Sequence, residues 1–155
     1  MSALGQNPTK LINDHNSYDL TFSPDGQRIA FIRAYAARKN ELFVVNADGK
    51  EERLLMKGNN QGDPFLTVTW APDGKRIACG LIVSAESQLY RTVVAINAET
   101  GVQEPLTSHR WSAIERLRWL PDGRGVIVLA AEAQGTSESN ATANLQLWHL
   151  SLPSG

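Results

Sequence analysis

The sequence predicts an all-β chain in which one antiparallel sheet occurs three times. The same turn between two apolar runs is present in FSPDGQRIAF (22–31), WAPDGKRIAC (70–79) and WLPDGRGVIV (119–128). The prolines of these turns, at positions 24, 72 and 121, are separated by 48 and 49 residues. Apolar and polar residues alternate on both sides of each turn, as in strands that bury one face. Because a period of about 40 to 50 residues is typical of propeller blades, the sequence predicts three β-propeller blades.

Each PDG turn is predicted to be a tight hairpin turn. Proline has the fixed φ that the second turn position favours, and the aspartate side chain accepts hydrogen bonds from nearby backbone N–H groups. Glycine adopts the left-handed conformation that a bulged hairpin needs. Gly26, Gly74 and Gly123 are therefore expected to serve the backbone rather than a ligand.

A second pair of strands follows in the first two copies, and each pair flanks a short turn. The pairs are LFVVN (42–46) with EERLL (51–55), and TVVAIN (92–97) with VQEPLT (102–107). Four strands joined by short turns form a meandering antiparallel sheet. The predicted blades span residues 17–57, 65–107 and 113–155.

The third copy lacks a counterpart of the fourth strand. LQLWHLSLPSG (145–155) follows a polar insertion at 132–144, which is expected to be a loop. TKLIND (9–14), in contrast, matches RLLMKG (53–58), the segment that leads to the second PDG turn. Residues 9–13 are therefore predicted to form the fourth strand of a third blade, and that blade is expected to belong to a partner chain.

Three blades are fewer than the roughly four to eight that close a propeller. A single chain would leave an apolar sheet face open at each end and an unpaired strand edge on its last blade. Two chains related by a two-fold axis would close a ring of six blades, each chain supplying its N-terminal strand to the other. A homodimer is therefore predicted, with a nine-bladed trimer, or half of one longer propeller chain, as the alternatives.

The repeat resembles a known family. An aromatic residue, the PDG turn, the strand RIAFI (28–32) and the segment LFVVNADG (42–49) with its closing strand resemble the TolB-type β-propeller repeat, a relative of the WD repeat. The resemblance implies a non-catalytic module that binds an unidentified protein or peptide and is part of a larger bacterial sensor or regulatory protein. The alternative is an accessory propeller that gates a prolyl-oligopeptidase-like peptidase. The third copy departs from the pattern at Gly125, where the others have arginine.

Two groups of residues are candidates for binding. In propellers the first strand of each blade is innermost, so its polar residues are expected to line a central channel: Asp19, Thr21, Thr67, Thr69, Arg116 and Arg118. Two-fold symmetry would double the two arginines into a cationic rim suited to a carboxylate or an acidic peptide. The second candidate is an exposed contact surface in a loop, made of His109, Arg110 and Trp111.

Composition and motifs exclude several other functions. Fifteen Lys and Arg and sixteen Asp and Glu residues give a formal net charge of -1, without the basic patch of a nucleic-acid-binding surface. The sequence has no nucleophile elbow, no phosphate-binding glycine loop and no metal-spaced Cys or His cluster, so no catalysis, metal or cofactor is expected. The single cysteine, Cys79, is expected to be buried and inert.

Targeting signals are also lacking in the sequence. SALGQNPTK (2–10) has no signal-peptide pattern, and nowhere do 18 apolar residues follow one another. A soluble chain without membrane insertion is expected, with cytoplasm and periplasm both open as the compartment of its parent protein.

Overall fold

The computed structural model describes residues 8–13, 16–35, 39–58, 65–85, 88–132 and 144–152. In these ranges the chain consists of strands and turns, and the strand pairings are antiparallel. The all-β prediction is confirmed. The strands are β1 Ser17–Phe22, β2 Arg28–Tyr35, β3 Lys39–Asn46, β4 Arg53–Lys57, β5 Phe65–Trp70, β6 Arg76–Ala85, β7 Gln88–Asn97, β8 Gln103–Pro105, β9 Trp111–Trp119, β10 Gly125–Glu132 and β11 Gln146–Ser151.

Backbone pairing joins the strands into a four-stranded sheet of β1 to β4 and a seven-stranded sheet of β5 to β11, in which β8 pairs with β7 beside the main order. We call β1–β4 blade 1, β5–β8 blade 2 and β9–β11 blade 3. Blades 2 and 3 share a single backbone bridge, between Arg91 of β7 and Trp111 of β9. The first strands of the blades contact one another, β1 with β5 and β5 with β9. These first strands therefore form the inner side of the assembly.

The PDG turns have the predicted geometry. Gly26, Gly74 and Gly123 have φ angles of 70°, 70° and 72°. In the first turn, the Asp25 carboxylate accepts a hydrogen bond from the Gln27 N–H at 3.0 Å. The aspartates of the other two turns accept the corresponding bonds. The prediction that these glycines serve the backbone is confirmed.

Apolar side chains from alternate strand positions form a core at each junction between blades. The junction of blades 1 and 2 includes Ala30, Ile32, Leu42, Val44, Val68, Trp70, Ile77 and Val94. The junction of blades 2 and 3 includes Ala78, Val93, Trp111, Leu117, Trp119, Val126 and Val128. Since full burial of one large aliphatic or aromatic side chain contributes about 1.5–3 kcal/mol, these junctions are the main source of stability.

An arginine that follows each of the first two PDG turns reaches the next blade. The Arg28 guanidinium lies 5.0 Å from the centre of the Trp70 ring, and the Arg76 guanidinium lies 5.2 Å from the centre of a Trp119 ring. Gly125 has this place in the third copy, and a Cβ on Gly125 would overlap the imidazole of His149. The backbone oxygen of Leu150 also lies in that space, so residue 125 has no room for the arginine of the other copies.

The fourth strands differ from the prediction in length and place. β4 begins two residues later than the predicted strand at 51–55, and β8 keeps only three residues of the predicted strand at 102–107. Residues 8–13 form no strand in the single chain, and the prediction that 9–13 complete the third blade of a partner chain stays a prediction. A strand needs a hydrogen-bonded neighbour, and none of the described strands pairs with this segment. The predicted loop at 132–144 lies mostly outside the described residues.

Candidate functional site

Blade 1 has an open apolar face on the side away from blade 2. Leu20 and Phe22 on β1 are 58% and 55% exposed. The residues at the same places in blade 2, Val68 and Trp70, are 0% and 5% exposed because blade 1 covers them. The outer face of blade 1 therefore has the residue pattern of a blade junction, but Leu20 and Phe22 on its first strand are left largely uncovered.

An apolar cavity of about 210 Å³ lies on this face. Its lining includes Leu11, Ile12, Tyr18, Leu20, Ile29 and Phe31. Ile12 packs against the buried cluster formed by Ile29, Phe31, Phe43 and Val45. The N-terminal segment thus covers one part of the face, next to the exposed side chains of β1.

Blade 3 has the opposite open face. Leu147 on β11 is 76% exposed, and Ile127 and Leu129 on β10 are half-buried. The residues at these three places in blade 1 are buried against blade 2. The two ends of the chain therefore carry the two different halves of the junction that occurs twice inside it. The sequence signal that could have identified Leu147 is an apolar residue directly before Trp148, on the face opposite to Trp148, Leu150 and Leu152.

Two of the predicted channel residues connect adjacent inner strands. The Asp19 carboxylate accepts a hydrogen bond from the Val68 N–H at 2.8 Å, and the Thr21 hydroxyl accepts one from the Trp70 N–H at 3.2 Å. Asp19 has a positive φ of 42°, where the pairing of β1 with β2 shifts register. Their side chains are thus used to join blade 1 to blade 2.

Two further channel residues are buried. Thr67 and Thr69, at the places of Asp19 and Thr21 in blade 2, are 0% and 5% exposed. They lie on β5 facing blade 3, so the prediction that they line an accessible channel is wrong for these two residues. The reason is that these two short side chains point into the junction with blade 3, and blade 3 covers them.

Arg116 and Arg118 are exposed, because the described residues place no blade against β9 on that side. Their guanidinium groups donate to the adjacent carbonyl oxygens of Glu115 and Leu117, at 3.0 and 2.7 Å. Within the described ranges, neither arginine forms an ion pair with a carboxylate. Two cationic groups are therefore left available at the inner side of blade 3.

The second predicted surface is only partly exposed. Trp111, expected in a loop, is the first residue of β9 and is fully buried in the junction of blades 2 and 3, so that expectation is wrong. Its indole packs 4.6 Å from the His109 ring, and His109 is half-buried. Arg110 is exposed, and its guanidinium lies 4.4 Å from the centre of the Tyr90 ring. Arg110 alone of the three side chains is fully at the surface.

The cysteine environment agrees with the sequence. Cys79 is buried in the junction of blades 1 and 2. Burial raises the pKa of its thiol, and the nearby Asp19 carboxylate raises it further. Because the thiolate is the reactive form, this cysteine is inert in the folded chain.

The described residues contain neither a metal-binding cluster nor a membrane-spanning helix. No group of three His, Cys, Asp or Glu side chains among them could hold a metal ion. No helix in the same part of the chain has the length and apolar character needed to cross a membrane.

Comparisons with known proteins agree on the fold. No protein-family model matches the chain. The chain is 27% identical to dipeptidyl-peptidase 5 from Porphyromonas gingivalis over 146 residues, a match that covers 88% of this chain and 20% of that protein. It is similar to the crystal structure of TolB from Acinetobacter baumannii, with a TM-score of 0.69 and 14% identity over 97% of this chain and 34% of that chain.

A third similarity is to the β-propeller domain of the Trilobed protease from Pyrococcus furiosus. Its TM-score is 0.57, with 17% identity over 75% of this chain and 34% of that chain. The chain therefore has the fold of a TolB-type β-propeller. It spans 20% of the curated relative and 34% of each of these two structures.

Proposed function

We propose that this chain is a non-catalytic β-propeller module that binds a protein or peptide, and that two copies of it form a ring of six blades. The observation that carries the proposal is the exposure of Leu20 and Phe22, at places where blade 2 has fully buried side chains. Burying one such residue completely contributes about 1.5–3 kcal/mol, so covering these two half-exposed side chains would contribute on the order of 2 kcal/mol, a sizeable part of a domain's net stability. The open face of blade 3 on a second copy is the matching half of the junction.

Ring closure would also create the binding site. Asp19 and Thr21 accept hydrogen bonds from the next inner strand, but an arginine has no acceptor to offer to those N–H groups. Arg116 and Arg118, at the corresponding places of blade 3, would therefore extend into the channel. The two-fold axis would bring four guanidinium groups around it. Such a rim would bind a carboxylate terminus or an acidic peptide through charge-assisted hydrogen bonds.

The molar mass in dilute solution tests the assembly. One chain has a mass of 17.0 kDa, so a dimer has 2 × 17.0 = 34.0 kDa in sedimentation equilibrium. Leu20→Asp should give the monomer, because it would place a charge in the closed junction. Leu89→Asp is the matched control, since Leu89 is 64% exposed and lies on blade 2, away from both open faces. A wild-type mass of 17.0 or 51.0 kDa would rule out the six-bladed ring.

A labelled hexaglutamate peptide tests the binding site. Fluorescence anisotropy should show binding to the wild-type chain, and replacing both Arg116 and Arg118 with alanine should weaken it at least about 10-fold, since each charge-assisted hydrogen bond is worth roughly 1.5–3 kcal/mol. Replacing Lys39 and Lys75, two exposed lysines outside the site, removes the same charge and should have little effect. Equal affinities of the two double variants would refute a specific site.

A second function is favoured by the similarity to dipeptidyl-peptidase 5 and to a protease propeller domain. In that case the chain would be part of an accessory propeller that gates a hydrolase domain. The open faces would then be covered by further blades of one longer polypeptide. A wild-type mass of 17.0 kDa would favour this second function, because the open faces would then need blades that a second copy does not supply.

A further inference from the structure

Residues 8–13 lie on blade 1 in the way that the outer strand of blade 1 lies on blade 2. Gly101 in blade 2 has a φ of 73°, and a Cβ on it would overlap the carbonyl oxygen of Leu55 in β4. Gly49 in blade 1 has a φ of 82°, and a Cβ on it would overlap the carbonyl oxygen of Leu11. The N-terminal segment therefore makes with blade 1 the same close backbone contact that β4 makes with blade 2.

The side chains next to this contact correspond as well. In the match of TKLIND with RLLMKG, Leu11 has the place of Leu55, and Ile12 has the place of Met56. Leu55 and Met56 pack against the core between blades 1 and 2. Ile12 packs against the cluster on the open face of blade 1. Residues 9–12 thus occupy the position of a fourth strand that belongs to a preceding blade, although the described residues contain no such blade.

We propose that residues 9–12 remain on blade 1 of their own chain and pair with β11 of a second copy, as the fourth strand of that copy's blade 3. The proposal rests on the two-chain ring and identifies the segment that seals it. Blade 3 has an unpaired outer edge on β11 among the described residues, and residues 9–12 have no strand partner there. Each segment would therefore satisfy the other's backbone groups without leaving its contact with Gly49.

The pairing register follows from the two complete blades. Val44 pairs with Arg53 in blade 1, and Ala95 pairs with Glu104 in blade 2. In each blade, the residue just after the PDG glycine accepts a hydrogen bond from a backbone N–H near the end of the third strand, and the three donors are Ala47, Ala98 and Leu152. These donors hold equivalent places, so they align β3, β7 and β11. By this alignment, Thr9 of one chain should lie opposite His149 of the partner subunit.

A disulfide tests this register. Opposed Cα atoms in an antiparallel pair are about 4.5–5.5 Å apart, within the roughly 4.4–6.8 Å that a disulfide spans. The full chain with Thr9→Cys and His149→Cys should form a covalent dimer on mild oxidation, which non-reducing electrophoresis detects and a reductant reverses. Both positions are exposed, so the fold should tolerate the changes, and the buried Cys79 should not compete.

The matched control is the pair Lys10→Cys and His149→Cys. Successive side chains of a strand point to opposite faces, so this pair should crosslink at least about 10-fold more slowly. A dimer of 34.0 kDa in which both pairs crosslink at the same rate would overturn the proposal while leaving the ring intact. A monomer of 17.0 kDa before oxidation would overturn the ring itself, and with it this inference.

Discussion

Replacing Gly101 with alanine tests the close passage of one blade's outer strand over the next blade. Gly101 has a positive φ of 73°, and the Leu55 carbonyl oxygen occupies the space that a Cβ would need. Gly26 has nearly the same φ, 70°, but has no atom within 4 Å of that space. Gly26→Ala therefore measures the backbone strain alone, and Gly101→Ala measures the strain together with the steric conflict.

The two contributions have different expected sizes. A left-handed backbone costs an alanine about 1–2 kcal/mol relative to glycine. Displacing a packed backbone carbonyl is comparable to overpacking a core, which costs about 1–3 kcal/mol more. Gly26→Ala should therefore lower the free energy of unfolding by about 1–2 kcal/mol, and Gly101→Ala by roughly 2–5 kcal/mol.

Urea unfolding at one fixed protein concentration, followed by tryptophan fluorescence, measures both losses. Gly123→Ala is a second control, since Gly123 has a φ of 72° and open space around it. If the Gly101→Ala loss equals the losses at Gly26 and Gly123, the contact with Leu55 contributes nothing, and the argument built on the same contact at Gly49 fails as well.

Three further predictions concern the chain's chemistry. Cys79 should react with a thiol reagent only in denaturant, because burial raises its pKa; rapid reaction in buffer would contradict its burial. Arg28→Ala should lower the free energy of unfolding in urea by about 1–2 kcal/mol, because it removes both the stacking on Trp70 and the ion pair with Glu99. Glu99→Gln keeps the stacking and removes only the ion pair, so it should lower the free energy of unfolding by at most about 1 kcal/mol. Hydrogen bonds from the Ser23 hydroxyl and the Gln27 N–H lower the pKa of Asp25 in the folded chain. On acidification Asp25 therefore takes up its proton at a higher pH in the unfolded chain than in the folded chain, and its contribution to stability is lost as the pH falls below about 4. In thermal unfolding between pH 2 and 7, the Tm of Asp25→Asn should fall less steeply at acidic pH than the Tm of the wild-type chain.

The strands and tight turns could be predicted from the sequence because they depend on local chemistry. Proline, aspartate and glycine at fixed spacing determine the PDG turns, and the alternation of apolar residues identifies the strands beside them. The short fourth strands were predicted less well, because β8 has only three residues and includes Pro105, which has no N–H to donate to a neighbour.

The candidate site was harder to predict, because burial depends on which blade covers which face. Thr67 and Arg116 hold matching places on β5 and β9, yet blade 3 buries the threonine while the arginine is exposed. Trp111 looked like a loop residue because it follows Ser108 and His109, but a bridge to β7 draws it into the sheet. Such contacts join residues from different copies of the repeat and leave no local signal.

The two edges of the blades differ in how much length variation they contain. Five residues separate the first strand from the second in every copy, at 23–27, 71–75 and 120–124. The connections between the second and third strands, at the opposite edge, have three, two and thirteen residues, at 36–38, 86–87 and 133–145. Insertions of unlike size are thus gathered on one side, so new recognition loops can evolve there while the hairpins that set the spacing of the blades stay unchanged.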